Sequence, residues 1–430
     1  MIRAAGPTRP DTPPDSPSES VYGRSFWLSY AANTTLMFTL GLMFRYADFV
    51  THLGGGALEL GLIVGVGMVG AIAMRLIQGV AIDRYGPRLI WTSSLALFAL
   101  SLAGHLVVTD VNSPAIYLLR LTMTVGLAGA FGASITYVSL TVPTQRIAEI
   151  VGTLGSSGFV GIALGPVVGD WMFDTADVTR WHIDRMFLTG ALLGVLSLVF
   201  AILATRGQTP RTRRQQPGLI PLVRRYHPGP LLLVAAAMGI GIALPHTFLR
   251  TYLEHLNIKH MKTFFVTYAV TAFIVRIASR RLPQRIGLRP MILLGLGFLS
   301  LSMLLYLTVH TESMLVVPAL AGGIAHAFLF PSVVAGGSLA FPTRYRGLAT
   351  TLVLAMFDIG NLIGQPMVGG IINYAPEFDL PGYGTMFVTV ATGLIAVAAY
   401  YMIATRHDGE NLAEEVLEDS TAVEPVGVEV

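Results

Sequence analysis

Asp358, Asn361 and Gln365 stand three and four residues apart inside an otherwise apolar run, "AMFDIGNLIGQP". On a helix that spacing puts all three on one face. Burial favours the protonated form of a carboxyl group and a nearby cation favours the ionised one. That balance suits Asp358 to carrying a proton, although it could instead hydrogen-bond a helix end. Arg120 lies in "YLLRLTMTVG", His246 follows Pro245, and His326 stands in "GGIAHAFLF". Ionisable groups at the depth of a membrane cost roughly 2.5–3.5 kcal/mol each, so each is a functional candidate by default. Histidine titrates near neutral pH, yet a lone one among apolar residues reads equally as a hydrogen-bonded packing residue. Arg120 could equally anchor a helix or snorkel. Asn33 and Thr34 offer polar contacts. Arg45 with Asp48, and Arg250 with Glu254, end two apolar segments, as a vestibule for a charged solute or as interfacial anchors.

The elements that would position these groups are membrane spans. Of the 430 residues 53% are hydrophobic and 12% charged, with a mean hydropathy of +0.64. A soluble domain carries about 25% charge. A bilayer core about 30 Å thick requires roughly 20 apolar residues per helix. Twelve segments qualify, near 25–49, 57–80, 89–109, 114–140, 147–172, 185–204, 230–253, 262–281, 289–309, 313–340, 347–373 and 384–405; they are called spans 1 to 12 below. They are too long and too evenly apolar for barrel strands. Cysteine is absent, which excludes disulfides and thiolate metal sites. Residues 1–22 lack an apolar h-region and read as a disordered tail, and the acidic tail from 406 to 430 reads as solvated. A net charge of +3, with arginines that track the loops, gives no basic patch for nucleic acid. No P-loop, HExxH or GxSxG stretch is present, so ATP is not the energy source and no enzyme chemistry is indicated. No cofactor or metal is expected.

The loops after spans 2, 4, 6, 8 and 10 collect arginine, among them Arg84, Arg88, Arg146, Arg285, Arg289 and Arg344. Cytoplasmic loops show this bias, so both termini are expected in the cytoplasm. The chain also repeats at a shift of about 200 residues. "MRLIQGVAIDRYGPR" (74–88) aligns with "VRIASRRLPQRIGLR" (275–289), and "GPVVG" (165–169) with "QPMVG" (365–369). Arg75 and Arg276, paired by the repeat, sit one turn inside the boundary and are expected to brace the loops. Two six-helix halves, 23–204 and 230–405, flank a basic linker, 205–229. Parallel repeats of this kind occur in transporters.

Gly79, Asp83, Arg84, Gly86 and Arg88, in the loop after span 2, resemble the G-x-x-x-D-R-x-G-R-R pattern of the major facilitator superfamily (MFS), with Pro87 departing from it. The resemblance covers about residues 22–405 and implies two six-helix bundles rocking about a central cavity. It implies a gating role for these residues, with Arg285 and Arg289 in the second copy, where Gln284 replaces the aspartate. Asp83 would lie near the N-terminus of span 11, where the helix dipole stabilises an anion by about 0.3–1 kcal/mol, clasping the halves together. A solvated turn is the alternative. Gly161, Gly165, Pro166 and Gly169 in span 5 resemble a pattern associated with proton-driven exporters, with Asp170 in place of the last glycine. Glycines four apart admit a close helix neighbour and Pro166 bends the helix, so span 5 is expected to seal one half against the other, or simply to pack. In the family a span 4 arginine is linked to proton transfer or an anionic substrate, which implies that role for Arg120; spans 1, 4, 7 and 10 line the cavity, which draws attention to His246 and His326.

The expectation is a monomeric all-α inner-membrane protein exporting a small organic compound in exchange for protons. Uptake of a small organic anion with protons, through Arg120 and Arg250, is one alternative. A non-transporting sensor is another.

Overall fold

The computed structural model describes residues 22–142, 146–175, 177–207, 229–341 and 346–406. Most of the N-tail, linker and C-tail assigned from sequence lies outside them. Regular structure among the described residues is entirely helical. Span 1 runs Arg24–Leu42, tightens into a 3-10 turn at Met43–Arg45 and continues as Tyr46–His52. Spans 2 and 3 form one run, Ala57–Gly104, broken at Gly86, where φ is +80°. A side chain there would strain the backbone. Gly287, its partner in the repeat, has φ +82° and joins Leu282–Ile286 to span 9, Leu288–Leu305. The repeat is therefore present in backbone conformation as well as in letters. The remaining spans are Pro114–Leu140 (4), Ile147–Met172 (5), Arg180–Ala204 (6), Leu231–His255 (7), Lys262–Ala278 (8), Val316–Leu339 (10), Arg346–Tyr374 (11) and Gly382–Ala404 (12).

Nine described helices are long and apolar enough to cross a membrane, one of them the doubled run through Gly86. Spans 1 and 8 complete the twelve. The first carries Ser29, Asn33, Thr34 and Thr35, and the second has only 17 residues. Leu100, Val107, Leu192 and Ile403 are exposed on the outside of the bundle, the inverse of a water-soluble surface and the surface a bilayer requires. Trp171 and Trp181, also exposed, stand at one rim, where aromatic rings sit at membrane interfaces.

Span 1 packs on spans 5 and 6, and in the second half span 7 packs on span 11, span 10 on spans 8 and 9, and span 9 on span 12. The halves meet along two seams, span 2 against span 11 and span 5 against span 8. The first seam is tight towards one face. A Cβ on Gly61 would lie 2.4 Å from the Gln365 carbonyl oxygen, and one on Gly369 2.4 Å from that of Ala57. Further along span 2, Gly79 faces open space. The halves are thus pressed together at the face bearing the 1–2 loop, here the opposite face. Gly79 lies towards the arginine-rich face, where the Gly86 and Gly287 turns are.

Candidate functional site

Between the halves lies a cavity of about 260 Å³. Its walls come from spans 1, 2, 4 and 5 of the first half and spans 7 and 11 of the second. The apolar part includes Met37, Phe44, Met68, Phe131 and Phe357. Span 11 contributes Asp358, Asn361 and Gln365, the face that the three-and-four spacing predicted. Gln365 Nε2 donates to Asn361 Oδ1 at 3.1 Å, while Gln365 Oε1 is buried without a partner.

Asp358 forms an ion pair with Arg75 of span 2, whose Nε donates to Asp358 Oδ2. Arg75 therefore points into the cavity and joins the halves, which corrects its assignment to the loops. Its repeat partner Arg276 lies 5.9 Å from the Phe159 ring centroid instead. Position 158, the repeat equivalent of Asp358, is glycine.

Arg120 of span 4 lines the same cavity and is 9% exposed. Its Nε and Nη1 are buried without hydrogen-bond partners. Its guanidinium carbon lies 4.6 Å from the centroid of the Tyr46 ring. Tyr46 is fixed in turn by His105, whose Nε2 is 3.2 Å from the phenol oxygen and whose Nδ1 donates to the Ser101 carbonyl. Gly67 of span 2 leaves room for the arginine stem; a Cβ there would sit 2.8 Å from Arg120 Cγ. Thr124 donates to the Gly67 carbonyl and holds spans 2 and 4 together. His246 stacks on Phe44, with centroids 4.6 Å apart, and its Nε2 is unpartnered.

The opposite face is closed by a buried charge network. Arg45 donates to Asp48 Oδ2 at 3.0 Å and to Asp170 Oδ1 at 2.7 Å. Arg250, from the second half, donates to Asp48 Oδ1 at 2.8 Å. Asp170 Oδ2 accepts the backbone N–H of Lys262, the first residue of span 8, at 2.7 Å. The first amides of a helix have no partner within it, and an anion there is favoured by the dipole. Arg45, Asp48 and Asp170 are each at most 5% exposed. Two cations and two anions thus neutralise one another across the interface. They are not an open vestibule, and Arg45 and Arg250 have no free charge for a solute.

Several other sequence assignments change. His326 lies away from the cavity and shares a 2.6 Å hydrogen bond with Tyr268, packing near Phe159 and Phe330. Asn33 is buried but does not line the cavity. The glycine stripe of span 5 faces span 1 of its own half: a Cβ on Gly165 would lie 2.3 Å from the Gly41 carbonyl carbon, and one on Gly161 2.5 Å from Met37 Cβ. Pro166 and Gly169 continue that face, against Gly41 and Arg45. The stripe therefore does not itself meet the second half. Phe159 and Ala163, on another side of span 5, do so against Ala269 and Ala272. Arg289 donates to the Met402 carbonyl at 2.7 Å and to Thr405 Oγ1 at 2.9 Å. It caps the C-terminus of span 12 in its own half, where a cation complements the free carbonyls. Arg84, Arg88 and Arg285 are exposed and Asp83 is half-buried; residues 342–345, which lead into span 11, lie outside the described residues.

A family model described as the Major Facilitator Superfamily matches residues 26–306 and 261–426. Multidrug resistance protein 1 of Bacillus subtilis (strain 168) is 31% identical over 140 residues, 33% of this chain and 36% of that protein. The match thus spans about a third of that relative. A putative proline/betaine transporter of Staphylococcus haemolyticus (strain JCSC1435) is 23% identical over 358 residues, 75% of each chain. Among solved structures, a mutant of the nucleoside transporter NupG superposes with a TM-score of 0.76 at 14% identity, over 89% of this chain and 99% of that one. This last likeness concerns the fold alone.

Proposed function

The chain belongs to the major facilitator superfamily, and on that premise we propose that this multi-pass membrane transporter exports a small organic compound in exchange for protons. The observation that carries the reading is the Arg75–Asp358 pair. It is a titratable acid on the wall of a cavity between the halves, and its ionised form ties span 2 to span 11. A proton on Asp358 removes that tie, so proton binding and the relative position of the halves become linked. Resemblance to a multidrug resistance protein over a third of the chain supports the outward direction. Arg250, the second anion contact of the uptake alternative, is engaged by Asp48.

The arginine bias of its loops supports a reading in which the arginine-rich face and both termini lie in the cytoplasm and the protein sits in an inner membrane. The cavity then opens towards the cytoplasm and is sealed outside by the Arg45 network. Asp83 is the gate residue of the alternate state, in which the arginine-rich face closes and span 2 meets span 11 there. The protein acts as a monomer in this reading, since its cavity and both seams are built within one chain.

Proteoliposomes preloaded with a candidate solute and the pH dye pyranine test the exchange. An acid bath should drive solute out while the lumen acidifies. Solute loss at equal rates with and without the gradient would overturn proton exchange, and loss only under the reversed gradient would favour uptake.

A further inference from the structure

His260 stands on the opposite face, at the rim of the 5–8 seam and nearer to solvent than the Arg45 network. The chain between spans 7 and 8 fixes it there. Ile258 and Met261, on either side, are buried. The Lys259 carbonyl accepts Arg45 Nη2 at 3.4 Å, and the Lys262 amide is held by Asp170. The imidazole lies between two carboxylates. Its Nδ1 is 3.3 Å from Glu312 Oε2, in the 3-10 turn Glu312–Leu315 of the same half. Thr263 Oγ1 donates to Glu312 Oε1 at 2.6 Å and keeps that carboxylate in place. Its Nε2 is 3.7 Å from Asp174 Oδ1, two residues beyond span 5 and therefore in the other half. The flanking cations along the chain are Lys259 and Lys262, and Asp170 is already engaged by Arg45 and the Lys262 amide. A neutral imidazole has one N–H. Donating it to Glu312 leaves a lone pair facing Asp174, and donating it to Asp174 leaves one facing Glu312. Only the protonated ring donates to both acids.

We propose that His260 is a proton-operated clasp on the opposite face, its charged ring joining Asp174 of the first half to Glu312 of the second. When that face opens, Asp174 leaves with the first half, while Glu312 and Thr263 stay with His260. The open state then holds the proton against one carboxylate fewer. Proton binding and closure of that face therefore favour one another. Acid on that side strengthens the closed state, and the contribution fades as the pH rises through the neutral range in which histidine titrates. Asp174 has 63% of its side chain exposed and His260 27%, and an exposed ion pair contributes little. The clasp thus trims the balance set by the buried network and does not replace it. Asp358 meets protons that enter the cavity, whereas His260 meets those of the medium directly. Under the exchange proposed above, acid outside slows the return of the cavity to that side and acts as a brake on proton entry. The inference rests on the halves rocking about the cavity, but not on the direction of transport or on Asp358.

A single cysteine on the cavity wall, Thr247→Cys, labelled by a membrane-impermeant thiol reagent from the opposite face, reads how often that face opens. Rates are measured between about pH 8 and pH 5.5, with and without His260→Gln. The ratio of the two at each pH cancels the ionisation of the thiol and of every group common to both proteins. Labelling with His260 present, relative to His260→Gln, should fall about two- to fivefold from the alkaline to the acid end. Asp174→Asn, at an exposed side chain, should remove the same dependence, and it supplies the comparison if His260→Gln fails to fold. A ratio that stays flat or rises in acid would overturn the proposal. So would Asp174→Asn keeping the full dependence, because the ring would then sense protons without joining the halves. The two readings fail separately: a flat ratio with solute flux still driven by a pH gradient removes this inference and leaves proton exchange standing, whereas a falling ratio with flux indifferent to the gradient does the reverse.

Discussion

Replacing Asp170 with asparagine should open the opposite face of the protein. Two bonds converge on its carboxylate, but they do different work. The 2.7 Å bond from Arg45 lies within the first half and is expected to persist whichever face is open. The 2.7 Å bond from the Lys262 amide crosses between halves and exists only while that face is closed. Only interactions that differ between two states shift their balance. A hydrogen bond to a charged group contributes about 1.5–3 kcal/mol, and the uncapped amide finds water when the face opens. Asparagine keeps an oxygen that can accept the amide, so the loss is the excess of a charged over a neutral hydrogen bond, about 1–1.5 kcal/mol, and the population open at that face should rise about five- to tenfold. The chain has no cysteine, so Thr247→Cys, on the cavity wall, provides a single reporter. Its rate of modification by a membrane-impermeant thiol reagent applied from the opposite face should rise by that factor in the Asp170→Asn background. An unchanged rate, in protein with an unchanged melting temperature, would refute the assignment of Asp170 as a latch between the halves.

Asp358→Asn should abolish the response of solute flux to a pH gradient while leaving gradient-independent exchange, measured in the same pyranine-loaded proteoliposomes. Melting temperatures of Asp358→Asn, Arg75→Gln and the double variant should show the pair coupled by about 0.5–3 kcal/mol, the double variant being less harmed than the singles add up to. Gly165→Leu should destabilise the protein by at least about 1–3 kcal/mol, because even a Cβ there meets the backbone of Gly41 at 2.3 Å; Gly155→Ala, at a helical position with open space, should be neutral or stabilising by up to about 1 kcal/mol, both read from thermal unfolding in detergent. Arg289→Ala should cost about 0.3–1 kcal/mol through loss of its contacts at the end of span 12 and leave Thr247→Cys labelling unaltered, since that contact stays inside one half.

Twelve crossings and a duplicated half were legible because bilayer thickness dictates segment length and a repeat preserves its turns; Gly86 and Gly287 show the same backbone geometry. The Asp358–Asn361–Gln365 face was legible because helical periodicity is local. Its cationic partner was not. Arg75 lies 283 residues away, and hydropathy places it near a boundary without saying which helix it faces. The same limit explains His326 and Asn33. Each lies in a cavity-lining span by family resemblance, but at 3.6 residues per turn a difference of one or two positions turns a side chain from the cavity into a packed seam. Arg289 was misplaced for another reason: its repeat equivalent, Arg88, suggested a gate, whereas the nearby end of span 12 offers free carbonyls. Asp170 carried a visible signal, an acid where the glycine pattern is interrupted, and that interruption supplies the link between the halves.

The repeat makes the two acids informative about one another. At a shift of 200 residues Asp358 corresponds to Gly158, and Asp170 to Gly370. At each of these two positions one half alone carries the acid, and the two acids lie in different seams at different depths. The acid of the 2–11 seam borders the cavity, where a proton can reach it. The acid of the 5–8 seam is 1% exposed and enclosed by Arg45 and a helix N-terminus, which suits a fixed latch. A transporter cycles only if its two states differ by a few kcal/mol, so a latch of this strength on one face must be offset on the other. Under the function proposed above, Asp83 is the candidate for that offset. It ends a first-half helix as Asp170 does, and its mate would be the N-terminus of span 11, a second-half helix like span 8. The same chemistry, a carboxylate on an uncapped helix end, would then hold each face shut in turn, with the proton on Asp358 acting between them.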